Sequence, residues 1–254
     1  MKAAMFLRSI QTGVFKSIFE VLKDVLIDVS LCFTEEGCEI LCLDDAQVAV
    51  VQVMLRASEF EDYECHKQTV VGVNATQMYR LLKSIGSSDV LEMRVTDDFT
   101  LEIRSTNPVK KSRSRFNLKI LDINNEDVDL NGITESVART TFSSLDLQKM
   151  CREYQHLSKV VNVFRGPGVI RFCIEGDFAS QVTEFDIDDD SFVGEGFEDP
   201  FALRYLNLFM KASSMSPNVT LLHYGARMPL VLEFSASSLG FMRFYTAPRV
   251  AEAH

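Results

Sequence analysis

Basic side chains recur at helical spacing in four separate stretches of the chain. Residues three, four or seven positions apart lie on one face of a helix, so each stretch predicts a helix with a basic face. Clustered Lys and Arg side chains hold phosphate backbones with strong salt dependence and little sequence preference. The pattern consists of Lys16 and Lys23; Arg80 and Lys83; Lys149, Arg152, His156 and Lys159; and Arg204 and Lys211.

The distribution of charge favours a shared basic surface although the whole chain is acidic. The 254 residues include 26 Lys and Arg against 36 Asp and Glu, a formal net charge of −10. The four predicted helices hold nine of the basic and four of the acidic residues, which leaves 17 basic and 32 acidic residues elsewhere. The basic face of any single helix is explained equally well by an ordinary amphipathic helix in water, because Lys and Arg are mostly exposed. The repetition in four helices favours phosphate binding.

Four segments with helical periodicity, separated by segments of period two, position these side chains. The helices are predicted at about Thr12–Leu26, Ala75–Gly86, Ser143–Lys159 and Asp199–Ala212. In the fourth helix, Asp199 is expected to be the N-cap and Pro200 the first helical residue. Each helix follows a predicted strand and precedes about three more, and helix starts recur roughly every 60 residues, which predicts four βαβββ units.

These four units predict an α+β fold of two similar domains, each built from two βαβββ units. The length suits two domains of ordinary size. An acidic, Asn-rich segment without periodicity lies at the midpoint of the chain. The predicted domains are therefore residues 1–121 and 135–254, and residues 122–134 form the connector between them.

The sequence lacks the motifs of common catalytic and cofactor sites. It contains no GxxxxGK[ST], GxSxG or HExxH motif, and Cys65 and His66 have no spaced set of partners. We expect a protein without catalytic activity, cofactor or metal. Two other classes stay open. One is a phosphoryl-transfer enzyme that holds Mg²⁺ with Asp188 and Asp190, although a solvated charge run is favoured there, and the other is a protein-only scaffold.

Composition and cysteine usage indicate an intracellular protein. No apolar run reaches the roughly 20 residues that a membrane helix needs, so no membrane partner is expected. The six cysteines are scattered rather than dense, which is typical of a reducing compartment.

One segment carries a specific resemblance to a known family. Phe201–Ala212 resembles the FALRYLN-x-F-x-KA signature of sliding clamps of the proliferating cell nuclear antigen (PCNA) type. Collinear, individually weaker matches extend the resemblance over nearly the whole chain. They are Glu20–Asp24, Val51–Gln52, Gly72–Asn74, Met150–Arg152, Met228–Val231 and Tyr245–Arg249.

The resemblance implies a DNA sliding clamp, a processivity factor without catalytic activity. In this family, three subunits close head to tail into a ring around duplex DNA, with helices lining the channel and antiparallel sheets outside. The implied partners are duplex DNA without sequence preference, DNA polymerase and other peptide-bearing proteins, a clamp loader, and further copies of the chain as a homotrimer. The implied location is the nucleus or a viral replication compartment. Within the family, a subunit of a heteromeric checkpoint-type clamp and a monomeric viral processivity factor are the alternatives.

The resemblance also assigns residues to the channel and to a docking pocket. Channel positions carry over to eight of the basic-face residues, all except Lys159 and Arg204, while Ser17 stands where the family usually has a lysine. Partner peptides are expected to dock under the connector on Leu43, Val48, Val50, Leu130, Ile133, Pro229, Tyr245, Ala247 and Pro248. Several of these are equally consistent with ordinary sheet core. Gln47 replaces a usual histidine, the connector is slightly longer than usual, and the turn Arg165–Gly168 lacks the family's modification lysine.

Two strand edges are expected to carry the subunit interface. The strand near Lys110–Phe116 is strongly basic, and Arg113 and Arg115 share one of its faces. Its counterpart edge near Ser180–Asp186 places Glu184 and Asp186 on one face. We expect charge pairing across subunits together with antiparallel edge pairing. A nuclear-import tract or a solvated edge is the alternative for the basic segment.

Overall fold

The computed structural model describes residues 4–44, 46–96, 100–123, 128, 130, 133, 138–188 and 192–249. The chain forms two compact units. Unit 1 consists of Met1–Asp45, Val51–Val128 and Ser235–Met242, and unit 2 consists of Ala46–Val50, Asp129–Phe234 and Arg243–His254. Each unit therefore contains one short segment from the other half of the sequence.

The described part of the first half forms nine strands and two α-helices. In chain order they are β1 (Met5–Ser9), α1 (Thr12–Val25), β2 (Asp28–Thr34), β3 (Gly37–Leu43), β4 (Ala49–Arg56), β5 (Asp62–Cys65), β6 (Thr69–Asn74), α2 (Ala75–Lys83), β7 (Val90–Thr96), β8 (Thr100–Asn107) and β9 (Ser112–Lys119). A short 3-10 helix, Ala57–Glu59, follows β4.

The described part of the second half forms eight strands and two α-helices. They are β10 (Ala138–Ser143), α3 (Ser144–Gln155), β11 (Val160–Gly166), β12 (Val169–Glu175), β13 (Ser180–Asp186), β14 (Phe197–Ala202), α4 (Leu203–Phe209), β15 (Asn218–His223), β16 (Leu230–Ala236) and β17 (Gly240–Thr246). A 3-10 helix, Met210–Ser214, continues α4. The α+β class and the four βαβββ units are confirmed, with β5 as an additional strand.

Antiparallel pairing connects the strands within each unit. In unit 1, the order β5-β1-β7-β8-β9 forms one sheet, and β4, β3, β2 and β6 lie side by side. In unit 2, the order β13-β12-β11-β14 forms one sheet, and β10, β15, β16 and β17 lie side by side. Strands β9 and β13 each end the order of their sheet, so each presents an edge with backbone groups available for pairing.

The helices bury one face and the sheets alternate, as the periodicities predict. On α1, Phe15, Ile18 and Leu22 are buried. Helix α1 packs against α2, on which Met78 and Leu82 are buried. Burying each such side chain contributes about 1.5–3 kcal/mol relative to leaving it exposed. The opposite face of each helix is exposed to solvent and carries charged side chains.

The fourth helix begins later than predicted. Asp199 and Pro200 lie in β14, where Pro200 pairs with Asn162 of β11, and the helix starts at Leu203. A proline fits here because β14 is the last strand of its sheet, where a missing N–H costs no ladder hydrogen bond. The Asp199 carboxylate accepts from the backbone N–H of Arg227 at 2.8 Å instead of capping a helix. The prediction of a helix starting at Asp199 is therefore wrong.

A buried arginine and a buried histidine lie together inside unit 2. The Arg165 side chain is fully buried; its guanidinium donates to the carbonyls of Gly166 and Val169 and stacks on Phe192. His223 is 4% exposed, and its Nε2 has no hydrogen-bond partner among the described residues. Burial, together with the positive charge of Arg165, lowers the pKa of His223 to about 4. The imidazole is therefore neutral in the folded protein at neutral pH.

We expect acid to destabilise the protein partly through His223. Below its ordinary pKa of 6.5 the unfolded chain binds a proton at this histidine, whereas the folded chain does so only near pH 4. The free energy of unfolding should fall across this window by up to about 3 kcal/mol. Urea unfolding at about pH 7.5, 6 and 5 checks this, because His223→Phe should lose less stability than the wild type as pH falls. A parallel loss in both proteins would contradict the prediction. His66→Phe, at an exposed site, is the matched control.

Candidate nucleic-acid and protein interfaces

Helices α1 and α2 of unit 1 present their predicted phosphate-binding cations to different degrees. Arg80 and Lys83 are exposed, whereas Lys16 and Lys23 are partly buried. The Lys16 Nζ donates to the carbonyl of Ile85, just beyond the end of α2, where helix carbonyls lack partners. Arg80 and Lys83 are thus the more accessible cations of this unit, and Lys16 also holds the two helices together.

Tyr79 organises the other cations of unit 1. The Lys23 Nζ lies 5.1 Å and the Lys83 Nζ 5.9 Å from the centre of its ring. Its hydroxyl donates to a Glu20 carboxylate oxygen at 3.0 Å, and this hydrogen bond raises the pKa of Tyr79. Cation–π contacts at exposed sites contribute about 0.5–1 kcal/mol. Tyr79 was not predicted from the sequence, although it lies four residues before Lys83 on α2, which places both on one helix face.

In unit 2, α3 presents an exposed row of Lys149, Arg152 and His156. The Lys149 side chain is 78% exposed, and its ion pair with Glu153 is long, at 3.9 Å. Such an exposed pair adds little stability, so Lys149 is readily available to a phosphate group. The row therefore has the accessibility that phosphate contacts require.

Two amide side chains fix α3 against α4 and the 3-10 helix after it. The Gln148 Nε2 donates to the carbonyl of Met210 at 2.7 Å, and the Asn207 Nδ2 donates to the carbonyl of Cys151 at 2.9 Å. Lys211 is exposed on that 3-10 helix. Because hydrogen bonds to buried carbonyls hold the helices in register, the positions of the cations on them are fixed as well.

Arg204 and Lys159 belong to a different environment from the α3 row. The Arg204 guanidinium lies 4.7 Å from the centre of the Tyr205 ring. Both cations line a pocket of about 790 Å³ in unit 2, together with three residues predicted for peptide docking. The lining residues are Gln47, Val48, Gln155, Ser158, Lys159, Ala202, Arg204, Tyr205, Ala247, Pro248 and Arg249.

An apolar cluster in unit 2 gathers four more of the predicted docking residues. Its buried members are Leu222, Val231 and Tyr245, and its partly buried members are Val50, Leu130, Ile133 and Tyr224. Leu130 and Ile133 come from the predicted connector, and the Ile133 N–H donates to the carbonyl of Leu130 at 2.9 Å. Three members were not predicted from the sequence: Leu222, Val231 and Tyr224. Leu222 and Val231 are paired on two neighbouring strands with period-two hydrophobicity.

The remaining docking residues lie elsewhere. Leu43 is partly buried at the end of β3 in unit 1. Pro229 is partly buried in the turn just before β16.

The edge of β9 carries the predicted basic face. Arg113 and Arg115 line a groove of about 530 Å³ in unit 1 that also includes Arg8 and Arg104, with Glu92 as its one acidic lining residue. The Arg115 Nε lies 3.4 Å from a carboxylate oxygen of Glu102, and its side chain is 61% exposed. This arrangement leaves the edge with a positive charge that can accept further carboxylates.

The edge of β13 carries the predicted acidic face. Glu184 is 48% exposed and pairs with Arg171 of β12 at 2.6 Å. Asp186 is exposed at the end of the same strand and on the same face as Glu184. The two edges therefore present opposite charge, each within its own unit.

The two halves of the chain match two family models. Residues 5–128 match "Proliferating cell nuclear antigen, N-terminal domain", and residues 133–249 match "Proliferating cell nuclear antigen, C-terminal domain". The chain belongs to this family. The resemblance read from Phe201–Ala212 and the collinear stretches is thereby confirmed.

Individual PCNA-family relatives extend these matches. The chain is 31% identical over 253 residues to a protein of Paramecium bursaria Chlorella virus 1 named "Probable DNA polymerase sliding clamp 1", and 95% of each chain is covered. The crystal structure of PCNA from Entamoeba histolytica superposes with a TM-score of 0.88 at 21% identity and covers 98% of this chain and 100% of that one. The latter match confirms the fold.

The described residues also bear on a membrane-spanning helix and on a metal site. No helix there is long and apolar enough to cross a membrane. No group of three or more His, Cys, Asp or Glu side chains there is placed to hold a metal ion. Asp188 is exposed, and Asp190 lies outside the described residues.

We expect Lys16 to stabilise this PCNA-family fold in addition to any contact with phosphate. Replacing Lys16 by Met removes the hydrogen bond to Ile85 and should cost about 1 kcal/mol, because the pair is partly exposed. That loss lowers the midpoint of thermal unfolding by about 2–4 °C. Arg80→Met removes an exposed cation of the same unit and should leave the midpoint unchanged. Equal shifts for both variants would show that Lys16 has no structural role.

Proposed function

We propose that this PCNA-family protein is a DNA sliding clamp, which keeps a DNA polymerase on its template during DNA replication. The observation that carries the proposal is the exposed row of Lys149, Arg152 and His156 on α3, repeated in unit 1 by Arg80 and Lys83. It occurs in a family whose viral relative bears the name of a DNA polymerase sliding clamp. Eight of the ten predicted DNA-facing residues are part of this proposal, whereas Lys159 and Arg204 line the pocket of unit 2.

Such a clamp holds DNA by topology rather than by affinity. Exposed cations contact phosphates weakly and without reading bases, so the ring can move along any sequence. Ser17, at the position where the family usually has a lysine, donates its hydroxyl hydrogen to the carbonyl of Gly13 at 3.1 Å and adds no charge. Retention then depends on ring closure, and no catalytic step is involved.

Ring closure is proposed to use the edges of β9 and β13 in neighbouring copies. Antiparallel pairing of the edges supplies backbone hydrogen bonds, and Arg113 and Arg115 of one copy meet Glu184 and Asp186 of the next. Because both complementary edges occur on one chain, a homotrimer is favoured over a heteromeric clamp or a monomeric processivity factor. For the basic edge of β9, we prefer this role in ring closure to a role in nuclear import.

The apolar cluster is proposed as the docking site for DNA polymerase and other replication or repair proteins. Val50, Leu130 and Ile133 pack there against the buried part of the cluster and leave partly exposed apolar surface, which suits the side chains of a short peptide. We keep residues 1–121, 122–134 and 135–254 as the proposed domains and connector. The proposed partners also include a clamp loader. The proposed location is the nucleus or a viral replication compartment.

Retention on circular DNA tests the proposed function. Protein incubated at high concentration with a nicked circular duplex, or with its loader, should co-elute with the circle and should be released when the circle is linearised. On a linear duplex, where ring closure does not retain the protein, the double variant Lys149→Glu, Arg152→Glu should dissociate at lower salt than the wild type, because the salt slope falls by about 0.9 for each lost phosphate contact. Arg56→Glu, Lys67→Glu is the matched control at exposed positions away from the helices. Protein that elutes free of the circle would contradict the ring.

Charge reversal on β9 tests the proposed interface. Arg113→Glu, Arg115→Glu should shift the protein from trimer to monomer in sedimentation velocity, since like charges would face each other across the edges. Adding Glu184→Arg and Asp186→Arg to the same chain should restore the trimer. Lys110→Glu, Lys111→Glu makes an equal charge change in the neighbouring turn and is the control. An unchanged trimer in the first variant would rule out charge pairing at this edge.

A further inference from the structure

The pocket of about 790 Å³ in unit 2 is lined by three cations, Lys159, Arg204 and Arg249. None of its lining residues in the described part of the chain is acidic. Its volume lies in the range of ordinary ligand pockets. A concave site with this charge attracts an anionic group.

Backbone hydrogen bonds bring the three cations together from separate segments. The Leu203 N–H donates to the carbonyl of Lys159 at 3.0 Å, which ties the segment after α3 to the start of α4. The Arg249 N–H donates to the carbonyl of Pro200 at 2.7 Å, which fixes the segment after β17 against β14. Arg204 is held by its stacking on Tyr205. The positions of the cations are therefore built into the fold of unit 2.

Part of the remaining pocket wall is apolar and leads towards the apolar cluster. Val48, Ala202 and Pro248 line the pocket. Val50 and Tyr245 belong to the cluster. Val48 lies two residues before Val50, and Ala247 lies two residues after Tyr245. The Ala247 N–H donates to the carbonyl of Val48 at 3.5 Å, so the two segments run side by side from the cluster to the pocket.

We propose that this pocket binds an acidic side chain of the partner peptide whose apolar side chains occupy the cluster. The inference rests on the proposed function and adds a charge preference to it. A carboxylate or phosphate group suits two arginines and a lysine, because guanidinium groups bind such oxygens in pairs. The apolar part of the wall and the link to the cluster favour a peptide, because a peptide supplies apolar side chains for Val48, Ala202 and Pro248 as well as an anionic group.

Matched peptides test the charge preference directly. The probes are short fluorescein-labelled peptides with one leucine and two phenylalanines as apolar anchors. A run of glutamates stands before or after the anchors, and matched peptides carry glutamines instead. Fluorescence anisotropy at low salt should show one glutamate peptide binding about tenfold more tightly than its glutamine match. High salt should remove the difference, since it screens charge at a partly exposed site.

Variants at Arg249 locate the effect in the pocket. Arg249→Gln should reduce the preference for glutamate, and Arg249→Glu should abolish it while the glutamine peptide still binds. Lys67→Glu makes the same charge change at an exposed site outside the pocket and should keep the preference. A preference that survives in Arg249→Glu would overturn the proposal, because the charge would then act elsewhere.

Two further results would also overturn it. Equal binding of glutamate and glutamine peptides would exclude an anionic subsite, and failure of both peptides to bind would exclude a peptide of this kind as the occupant. If Arg249→Glu weakened retention on circular DNA and left the peptide preference intact, the pocket would serve DNA. Retention of the wild-type protein on circular DNA is measured separately, so failure of the charge preference is distinguished from failure of the clamp function.

Discussion

The packing of helices against antiparallel sheets dictates where this protein carries accessible positive charge. A helix that buries Phe15 and Leu22, or Leu147 and Tyr154, on one face leaves only the opposite face to solvent. Removing a charged Lys or Arg side chain from water costs free energy, so these side chains collect on the exposed face. The acidic total of −10 does not oppose a basic surface of this kind, because salt screens exposed charges beyond about 10 Å.

The cations on the helices differ in what the fold requires of them. Lys16 is engaged by a carbonyl and Lys23 by Asp24, whereas Arg152 on α3 is exposed. An exposed side chain can exchange one phosphate for the next with little cost, because it gives up no internal hydrogen bond. That is the property a sliding contact needs, since a tightly held phosphate would slow movement along the duplex. Retention must then come from closure of the protein around DNA.

The repeated units and the basic faces could be predicted because each rests on a local pattern. Period-two strands and helical periodicity depend on neighbours in sequence, and the four helices appear where the periodicity places them. The start of the fourth helix could not be predicted, because only strand order reveals that Pro200 lies on an edge strand. Likewise, nothing near Lys159 in sequence announces Arg249, since backbone hydrogen bonds from distant segments bring them to one pocket.

The charges on the two sheet edges restrict which copies can pair. The described strand β9 contains Arg113, Arg115 and Lys119 and no acidic residue, so two β9 edges repel each other. Strand β13 contains Glu184 and Asp186 and no basic residue, so two β13 edges also repel. Pairing between unlike edges is the arrangement that satisfies both the backbone groups and the charges. Such a contact is heterologous, and repeated copies of a heterologous contact either close into a ring or extend into a filament. Of these two assemblies, the proposed closed ring is the one that leaves no edge of either kind free.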